Sequence, residues 1–272
     1  MCHHCVTDSV KQRMLSRRDF FKAAPVAAAA AVGTTALAPP AMADGHGKIE
    51  DMTHLLSDAF PTYDGAPGIA LDQKFNFKEH YFNLFEITLN EHTGTHMDAP
   101  LHFSEDGLSV DEIEVGNLVV PLACIDIRAK ADGNADAQVT PDDLKAWKAA
   151  HGDFPEGCCV AMLSGWGAKT SGDGFRNADG AGVMHFPGFH VEAANMLMEE
   201  TSAVGMAVDT LSLDHGPSAD FVTHYAWLPT GRWGLECVAN LEKVPASGAT
   251  LVVGAPKIKG GSGGPCRVFA MV

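Results

Sequence analysis

The sequence predicts an α/β fold, a single domain built on a mixed β-sheet with few helices. Three observations predict it. Short apolar runs rich in β-branched and aromatic residues recur from Asp51 to Gly254, and several follow one another with no helix between them. Only three segments carry helix start or stop signals. The chain has 272 residues, 46% hydrophobic and 19% charged, a balance that suits one domain with a substantial core and excludes a disordered or polytopic membrane chain.

Asp51 to Leu56 reads as the first strand, ended by the turn Pro61-Thr62-Tyr63-Asp64-Gly65. Tyr81 to Leu89 reads as a strand running into His92-Thr93-Gly94-Thr95-His96, and Leu118 to Ile127 as two buried apolar runs around Pro121. Thr140-Pro141-Asp142-Asp143 opens a helix through Ala150, with Thr140 as N-cap, proline at the first position and acids in the first turn. Cys159 to Leu163 is a strand entering the Gly165-Trp166-Gly167 loop. Pro187-Gly188 precedes a helix from Val191 to Glu200, Ala203 to Val208 is a short strand, and Asp220 to Leu228 is helical up to Pro229. Leu235 to Leu241 and Thr250 to Gly254 complete the strands, and Gly260-Gly261-Ser262-Gly263-Gly264 reads as a turn or surface loop.

Residues 1–43 stand apart from the fold. Ser16-Arg17-Arg18-Asp19-Phe20-Phe21-Lys22 precedes an alanine-rich stretch from Ala23 to Ala38, and Ala41-Met42-Ala43 follows. That is a charged region, a short apolar region and a small-residue cleavage site in order, and the paired arginines resemble a bacterial twin-arginine signal. The resemblance implies cleavage after Ala43, passage through the twin-arginine machinery as a folded chain, and a periplasmic product without a stable membrane anchor. Ala23 to Ala38 is too short for a comfortable bilayer span. The net charge is −15; removing residues 1–43 takes away five basic and two acidic residues and leaves −18 for residues 44–272. A surface that acidic repels a phosphate backbone, which argues against nucleic-acid binding. Five cysteines remain (Cys124, Cys158, Cys159, Cys237 and Cys266); an odd number without a C-x-x-C pattern points to buried thiols. The redox state of the adjacent pair Cys158 and Cys159 is left open by this reading.

The chemistry concentrates in His92-Thr93-Gly94-Thr95-His96-Met97-Asp98-Ala99-Pro100-Leu101-His102-Phe103. Burying three imidazoles and a carboxylate without partners is prohibitively costly, so the cluster predicts a metal site. In a straight strand His92 and His96 stand roughly 13 Å apart, whereas donors to one ion lie within about 4.4 Å of each other. The chain must therefore curl, and Gly94 is the residue able to make the curl.

This stretch resembles the signature of the cyclase family of metal-dependent hydrolases, which includes kynurenine formamidases and isatin hydrolases. Asp51-Met52-Thr53-His54-Leu55-Leu56-Ser57 resembles the family's opening motif, Asp209-Thr210-Leu211-Ser212-Leu213-Asp214 is similar to a later one, and His224 and Glu236 match its downstream histidine and glutamate. The resemblance implies a kynurenine formamidase-like swivelling β/β/α fold. It implies a divalent cation, Zn2+ as one or two ions or Mn2+, with His92, His96 and Asp98 holding one ion, His224 a second, and Asp98 and Glu236 bridging. It implies His102 as the proton donor and acceptor, and Tyr63 and Trp166 as contacts to a flat aromatic substrate. Formamidases commonly carry tryptophan where this chain has Tyr63, and the family often has asparagine where it has Cys237. His185, His190 and His215 match no family role.

The expected function is hydrolysis of a C–N amide bond by metal-activated water, most like an arylformamidase that converts N-formylkynurenine to kynurenine and formate. A single-metal, manganese-dependent hydrolase of an isatin-like lactam or of a lactone is the alternative. An exported metal-binding protein without turnover is the second alternative. By analogy with the family the chain is expected to be a homo-oligomer. No G-x-G-x-x-G fingerprint follows a strand, and the one stretch with G-x-S-x-G spacing, Gly260 to Gly264, reads as a turn or surface loop and not as a strand-to-helix elbow, which argues against dinucleotide-dependent and serine-hydrolase chemistry.

Overall fold

Side chains alternate between two apolar clusters along three central strands, and that alternation decides the architecture. The structure is a computed structural model that describes residues 47–272; the expected signal at 1–43 lies outside the described residues. In chain order the strands are β1 (Ile49–Asp51), β2 (Ile69–Phe75), β3 (Leu84–Leu89), β4 (His96–Asp98), β5 (Val119–Asp126), β6 (Gln138–Val139), β7 (Cys159–Leu163), β8 (Gly188–Phe189), β9 (Gly205–Val208), β10 (Trp233–Glu236), β11 (Ala249–Gly254), β12 (Gly263–Pro265) and β13 (Arg267–Met271). The helices are α1 (Phe77–His80), α2 (Arg128–Gly133), α3 (Pro141–His151), α4 (Val191–Glu200) and α5 (Val222–Trp227). Among the described residues no helix is long and apolar enough to cross a membrane.

Contacts divide the described residues into two compact units, 47–70 with 89–272, and 71–88. The larger is an α/β unit around a nine-stranded sheet of order β1-β13-β11-β5-β7-β9-β10-β4-β12. The pairs β5/β7, β7/β9 and β9/β10 are parallel and the remaining pairs antiparallel, so the sheet is mixed as expected. Leu122, Cys124, Cys159, Ala161 and Ala207 face one cluster, which also takes residues of β11, β13, β10 and β4; the sheet curls around it. Ala123, Ile125, Val160, Met162, Met206 and Val208 face the other, covered by Leu144 and Trp147 of α3 and Ala193, Ala194 and Leu197 of α4. Cys158 and Cys159 lie in opposite clusters, and all five cysteines of the described residues are free and buried. Burying each large side chain of these clusters contributes about 1.5–3 kcal/mol before ordering costs.

The smaller unit holds most of β2 and β3, which pair with each other in a sheet of their own, and α1. Every residue of β3 is exposed, including Leu84, Phe85 and Ile87.

Several elements fall where residue patterns place them. Thr140 and Asp143 form the capping box of α3, which satisfies two otherwise orphaned donors. Helix α4 starts where expected, with the His190 ring accepting from the Glu192 amide as its cap. Other elements differ. The first strand is Ile49–Asp51 rather than Asp51 to Leu56, and Thr53 makes only an isolated bridge to Val238. Pro121 does not divide two strands: it lies within β5 opposite Thr250, and the ladder to β7 begins one residue later, so its missing N–H is not needed there. The strand expected from Leu235 ends at Glu236, because Cys237 turns into the left-handed region at φ +54°. The glycine-rich segment expected at the surface contains β12, an edge strand on β4, with Gly261, Gly263 and Gly264 buried.

Candidate metal centre and active site

Strand β4 is short and fully buried, and what precedes it is the predicted curl. Gly94 adopts φ +63°, and a Cβ there would meet the Leu56 side chain at 2.9 Å. The curl brings the His92 ring to 5.4 Å from that of His96. On the neighbouring β10, Glu236 lies opposite His96 and Gly234 opposite Asp98. The register thus sets a second carboxylate beside the first. A Cβ on Gly234 would stand 3.2 Å from Asp98 Oδ2, so a bare glycine leaves room for that carboxylate.

The donor atoms converge. His92 Nδ1 lies 2.7 Å from Asp98 Oδ1, and His96 Nε2 lies 3.4 Å from Asp98 Oδ1 and 3.3 Å from Glu236 Oε2. His224 Nε2 lies 3.6 Å from Asp98 Oδ2 and 3.1 Å from Glu236 Oε1. Two groups are able to hold an ion, each with all donor atoms within 4.8 Å: His92, His96 and Asp98, and Asp98, His102 and His224. Asp98 belongs to both. His96 Nε2 and Asp98 Oδ2 are buried without a hydrogen bond of proper geometry. Orphaned donors of this kind are what a cation at the site would satisfy. The residues present therefore fit a divalent metal.

The electrostatics agree. Burial alone would lower the His96 pKa, yet the carboxylates of Asp98 and Glu236 raise it to about 10. Burial would raise the Asp98 carboxyl, but the imidazoles of His224, His92 and His96 that face it hold it well below its ordinary 3.8. Without a metal the cluster is thus held together by protons on its imidazoles, and a cation takes their place.

His102 sits in a 3-10 turn, Pro100–Phe103, directly after β4. Its ring stacks on His92 at a centroid distance of 3.7 Å and lies 6.1 Å from that of His224. Burial lowers its pKa to about 4, with the nearby carboxylates opposing. A cation alongside lowers it further. His102 is therefore a neutral imidazole through the neutral range. We predict that the limb due to His102 in kcat/KM lies near or below about 4, apart from any limb near neutral pH that a metal-bound water contributes. An acid limb near the ordinary imidazole value of about 6.5 that does not move when Zn2+ is exchanged for Mn2+ contradicts this assignment.

The cluster opens into a cavity of about 310 Å³ whose lining includes Tyr63, Asn90, Phe103, Leu211 and Phe221 as well as His92, His96, His102, His224 and Glu236. Tyr63 stands 5.7 Å from Phe221, and Phe103 packs 4.7 Å from His224. Phe221, at φ +48°, and Cys237, at φ +54°, both line it in the left-handed region. For residues other than glycine that conformation costs about 1–3 kcal/mol and collects at functional sites.

The structure brings together His92, His96, Asp98, His102, His224, Glu236 and Tyr63 from the predicted set. Trp166 is the correction. It does not line the cavity; it is 2% exposed in a separate apolar cluster with Phe60, Phe175 and Phe186. Its indole donates to the Phe175 carbonyl at 2.8 Å and its amide to Asp209 at 3.1 Å. Asp209 also accepts from the amide and hydroxyl of Ser164, so it holds the loop down and the indole turns inward. The sequence reading gave no role to Phe103 and Phe221, which supply the aromatic walls. It also passed over Asp214, which accepts from His224 Nδ1 at 2.6 Å and from the amides of Thr223 and His224. Asp214 orients the imidazole that the pocket uses; its place in the Asp209–Asp214 motif was the available signal. Two of the three unassigned histidines have ordinary duties: His185 pairs with Asp136 and His190 caps α4.

Residues 50–215 match the cyclase family model, described as "Putative cyclase". The isatin hydrolase of Roseibium aggregatum is 35% identical over 197 residues, covering 68% of this chain and 73% of that protein. The kynurenine formamidase of Salinibacter ruber is 29% identical over 195 residues, covering 71% of this chain and 81% of its own. The structure of isatin hydrolase A from Labrenzia aggregata bound to benzyl benzoate superposes with a TM-score of 0.78 at 35% identity, over 83% of this chain and 93% of that one.

Proposed function

We propose that this chain, which belongs to the cyclase family, opens the ring amide of a flat aryl lactam of the isatin kind. It is a metal-dependent amide hydrolase. The observation that carries the reading is the convergence of three imidazoles and two carboxylates, with orphaned buried donors, at the floor of an aromatic-walled cavity. His92, His96 and Asp98 would hold one ion and His224 a second, with Asp98 and Glu236 between them. Imidazole with carboxylate suits Zn2+ or Mn2+.

When bound, the cation supplies a water ionisable near neutral pH and a Lewis acid for the amide carbonyl. The rest falls to the chain. His102, neutral and within the same cavity, takes a proton as water adds to the carbonyl carbon. As the C–N bond breaks, the imidazolium returns that proton to the departing nitrogen. Its lowered pKa makes it the stronger acid for this second step. One water is consumed, and an arylamine and a carboxylic acid are formed, the acid ionising to the carboxylate with release of one proton to solvent. Tyr63, Phe103 and Phe221 would hold a flat ring against the reacting centre.

Two observations favour the lactam over the formyl amide expected first from the sequence. The isatin hydrolase relative is the more similar of the two. Among the described residues lining the cavity there is no lysine or arginine to pair with the α-carboxylate of an amino-acid side arm. The arylformamidase reading remains second, supported by the formamidase relatives. Turnover of isatin and of N-formylkynurenine, each with Zn2+ and with Mn2+, tests the order: a higher kcat/KM is expected for isatin, and a preference for N-formylkynurenine reverses it. Inertness towards both and towards other amides, lactams and lactones favours the metal-binding protein without turnover.

The paired arginines at Arg17 and Arg18 and the Ala41-Met42-Ala43 site support export by the twin-arginine route to the periplasm. An N-terminus at Asp44 in periplasmic extract is the check, and a full-length cytoplasmic protein contradicts it. The exposed apolar residues of β3 support a homo-oligomer. A monomeric mass in sedimentation counts against that.

A further inference from the structure

The geometry points to Glu91 and Ser262 as a pair of positioning residues that set the tautomer of His92 and so its capacity to bind metal. Each of the three histidines assigned to the metal, His92, His96 and His224, has one nitrogen turned inward and one turned to a partner. For His96 the outward Nδ1 lies 2.8 Å from the Gly94 carbonyl, and for His224 it lies 2.6 Å from the Asp214 carboxylate. Both partners only accept, so in each ring Nδ1 carries a hydrogen, and Nε2 has a lone pair for the pocket once a cation replaces the proton it shares with the carboxylates.

His92 is turned the other way. Its Nδ1 faces Asp98, and its outward Nε2 lies 3.0 Å from the Ser262 hydroxyl. A hydroxyl can donate or accept, and does not by itself decide which nitrogen bears the hydrogen. Glu91 decides it. The Ser262 hydroxyl donates to Glu91 Oε2 at 2.6 Å, and the Ser262 amide donates to the same oxygen at 3.2 Å. With its proton committed to the carboxylate, the serine oxygen offers only lone pairs to His92. Nε2 must then be the N–H, and Nδ1 is left free to ligate. Without Glu91 the hydroxyl can turn and donate to Nε2, which places the hydrogen on the nitrogen that faces the metal.

The glycine-rich segment is built around this contact. A Cβ on Gly263 would come within 2.9 Å of the His92 ring and 2.2 Å of the Met97 carbonyl, and one on Gly261 within 2.8 Å of Glu91 Oε1. The Ser262 carbonyl accepts from the Ala99 amide at 2.9 Å, and the Gly261 carbonyl from Val110 at 2.9 Å, so the segment is pinned on both sides of the serine. Bare glycines on each side let the serine approach the imidazole.

The inference rests on His92 being a metal ligand, and the test separates the two. Zn2+ affinity is measured by chelator competition on the full-length protein, with the melting temperature of the metal-free form alongside. Glu91→Ala and Ser262→Ala are each expected to weaken Zn2+ binding about 10–100-fold, the usual cost of losing a partner behind a ligand. The double variant should bind no more weakly than the poorer single one, because the two act through one hydrogen bond. Glu91→Gln, whose amide oxygen still accepts from the serine, should retain most of the affinity. Unchanged affinity in Glu91→Ala, fully additive losses, or a Glu91→Gln variant as weak as Glu91→Ala would each overturn the relay. If Ser262→Ala does not fold, the two Glu91 variants decide it alone. A parent protein that does not bind Zn2+, or a His92→Ala variant that binds it normally, overturns the ligand assignment itself.

Discussion

Replacing His102 with alanine lowers kcat about 10²–10⁴-fold, the usual contribution of a positioned general acid–base, while the bound metal stays. The distinction matters because His102 stands in two relations at once. Its ring stacks on His92 at 3.7 Å and lines the cavity, as a proton carrier should. It also forms, with Asp98 and His224, a donor group within 4.8 Å. A ligand and a shuttle fail differently. As a shuttle, His102 leaves the ion in place when removed, and added imidazole restores part of the rate. As a ligand, its removal takes an ion with it. The measurement is kcat with zinc and manganese content on the same preparation. Loss of an ion in step with activity reassigns His102 to the metal, and unchanged kcat removes it from the reaction.

Asp98→Asn is expected to do more, because Asp98 is the one group shared by both donor sets. The side chain is 0% exposed and keeps its size, but it loses the charge that three imidazoles share. Metal affinity should fall by more than the 10–100-fold typical of partners behind the ligands, and hydrolysis should fall with it. The metal-free protein should suffer as well. Removing one partner of a buried ionic cluster costs about 3–5 kcal/mol, since the remaining charges stay buried unpaired. The sign with pH follows from the direction of the shift. Asp98 titrates below its ordinary value in the folded protein, so its contribution is present above about 4. It is lost as the pH falls through the folded value, and Asp98→Asn should therefore lose least, relative to the parent, in acid. Chelator-treated parent and variant compared by thermal unfolding give the stability term, and elemental analysis gives the metal term. A variant that retains the parent's metal content and melting temperature contradicts a shared role for Asp98.

The chemistry of this site was legible where it was local. His92 to Phe103 carries four candidate ligands within a stretch that can converge only by bending, and Gly94 bends it at φ +63°. The capping box at Thr140 and the apolar runs of β7 and α4 were legible for the same reason, since each is set by neighbours a few residues away. What depends on distant packing was not. Trp166 sits in a Gly-Trp-Gly loop that reads as open, and its inward turn is imposed by Asp209, 43 residues away. Ser262 approaches His92 across 170 residues, from a segment whose glycines suggest a surface turn and in fact permit a close approach. Strand β13 was missed because Arg267-Val268-Phe269-Ala270-Met271 follows a glycine-rich stretch that reads as a turn or surface loop. Its partner β11 supplies the pairing that makes it a strand.

Hydrolysis by this chain requires a cation held by the cluster at His92, His96, Asp98, His224 and Glu236. The most direct test of that requirement is zinc and manganese content per chain, followed together with hydrolytic rate through chelation and reconstitution. One or two ions per chain, a rate that disappears with them and returns when they are restored, is the predicted result; full hydrolysis by a metal-free chain would contradict it.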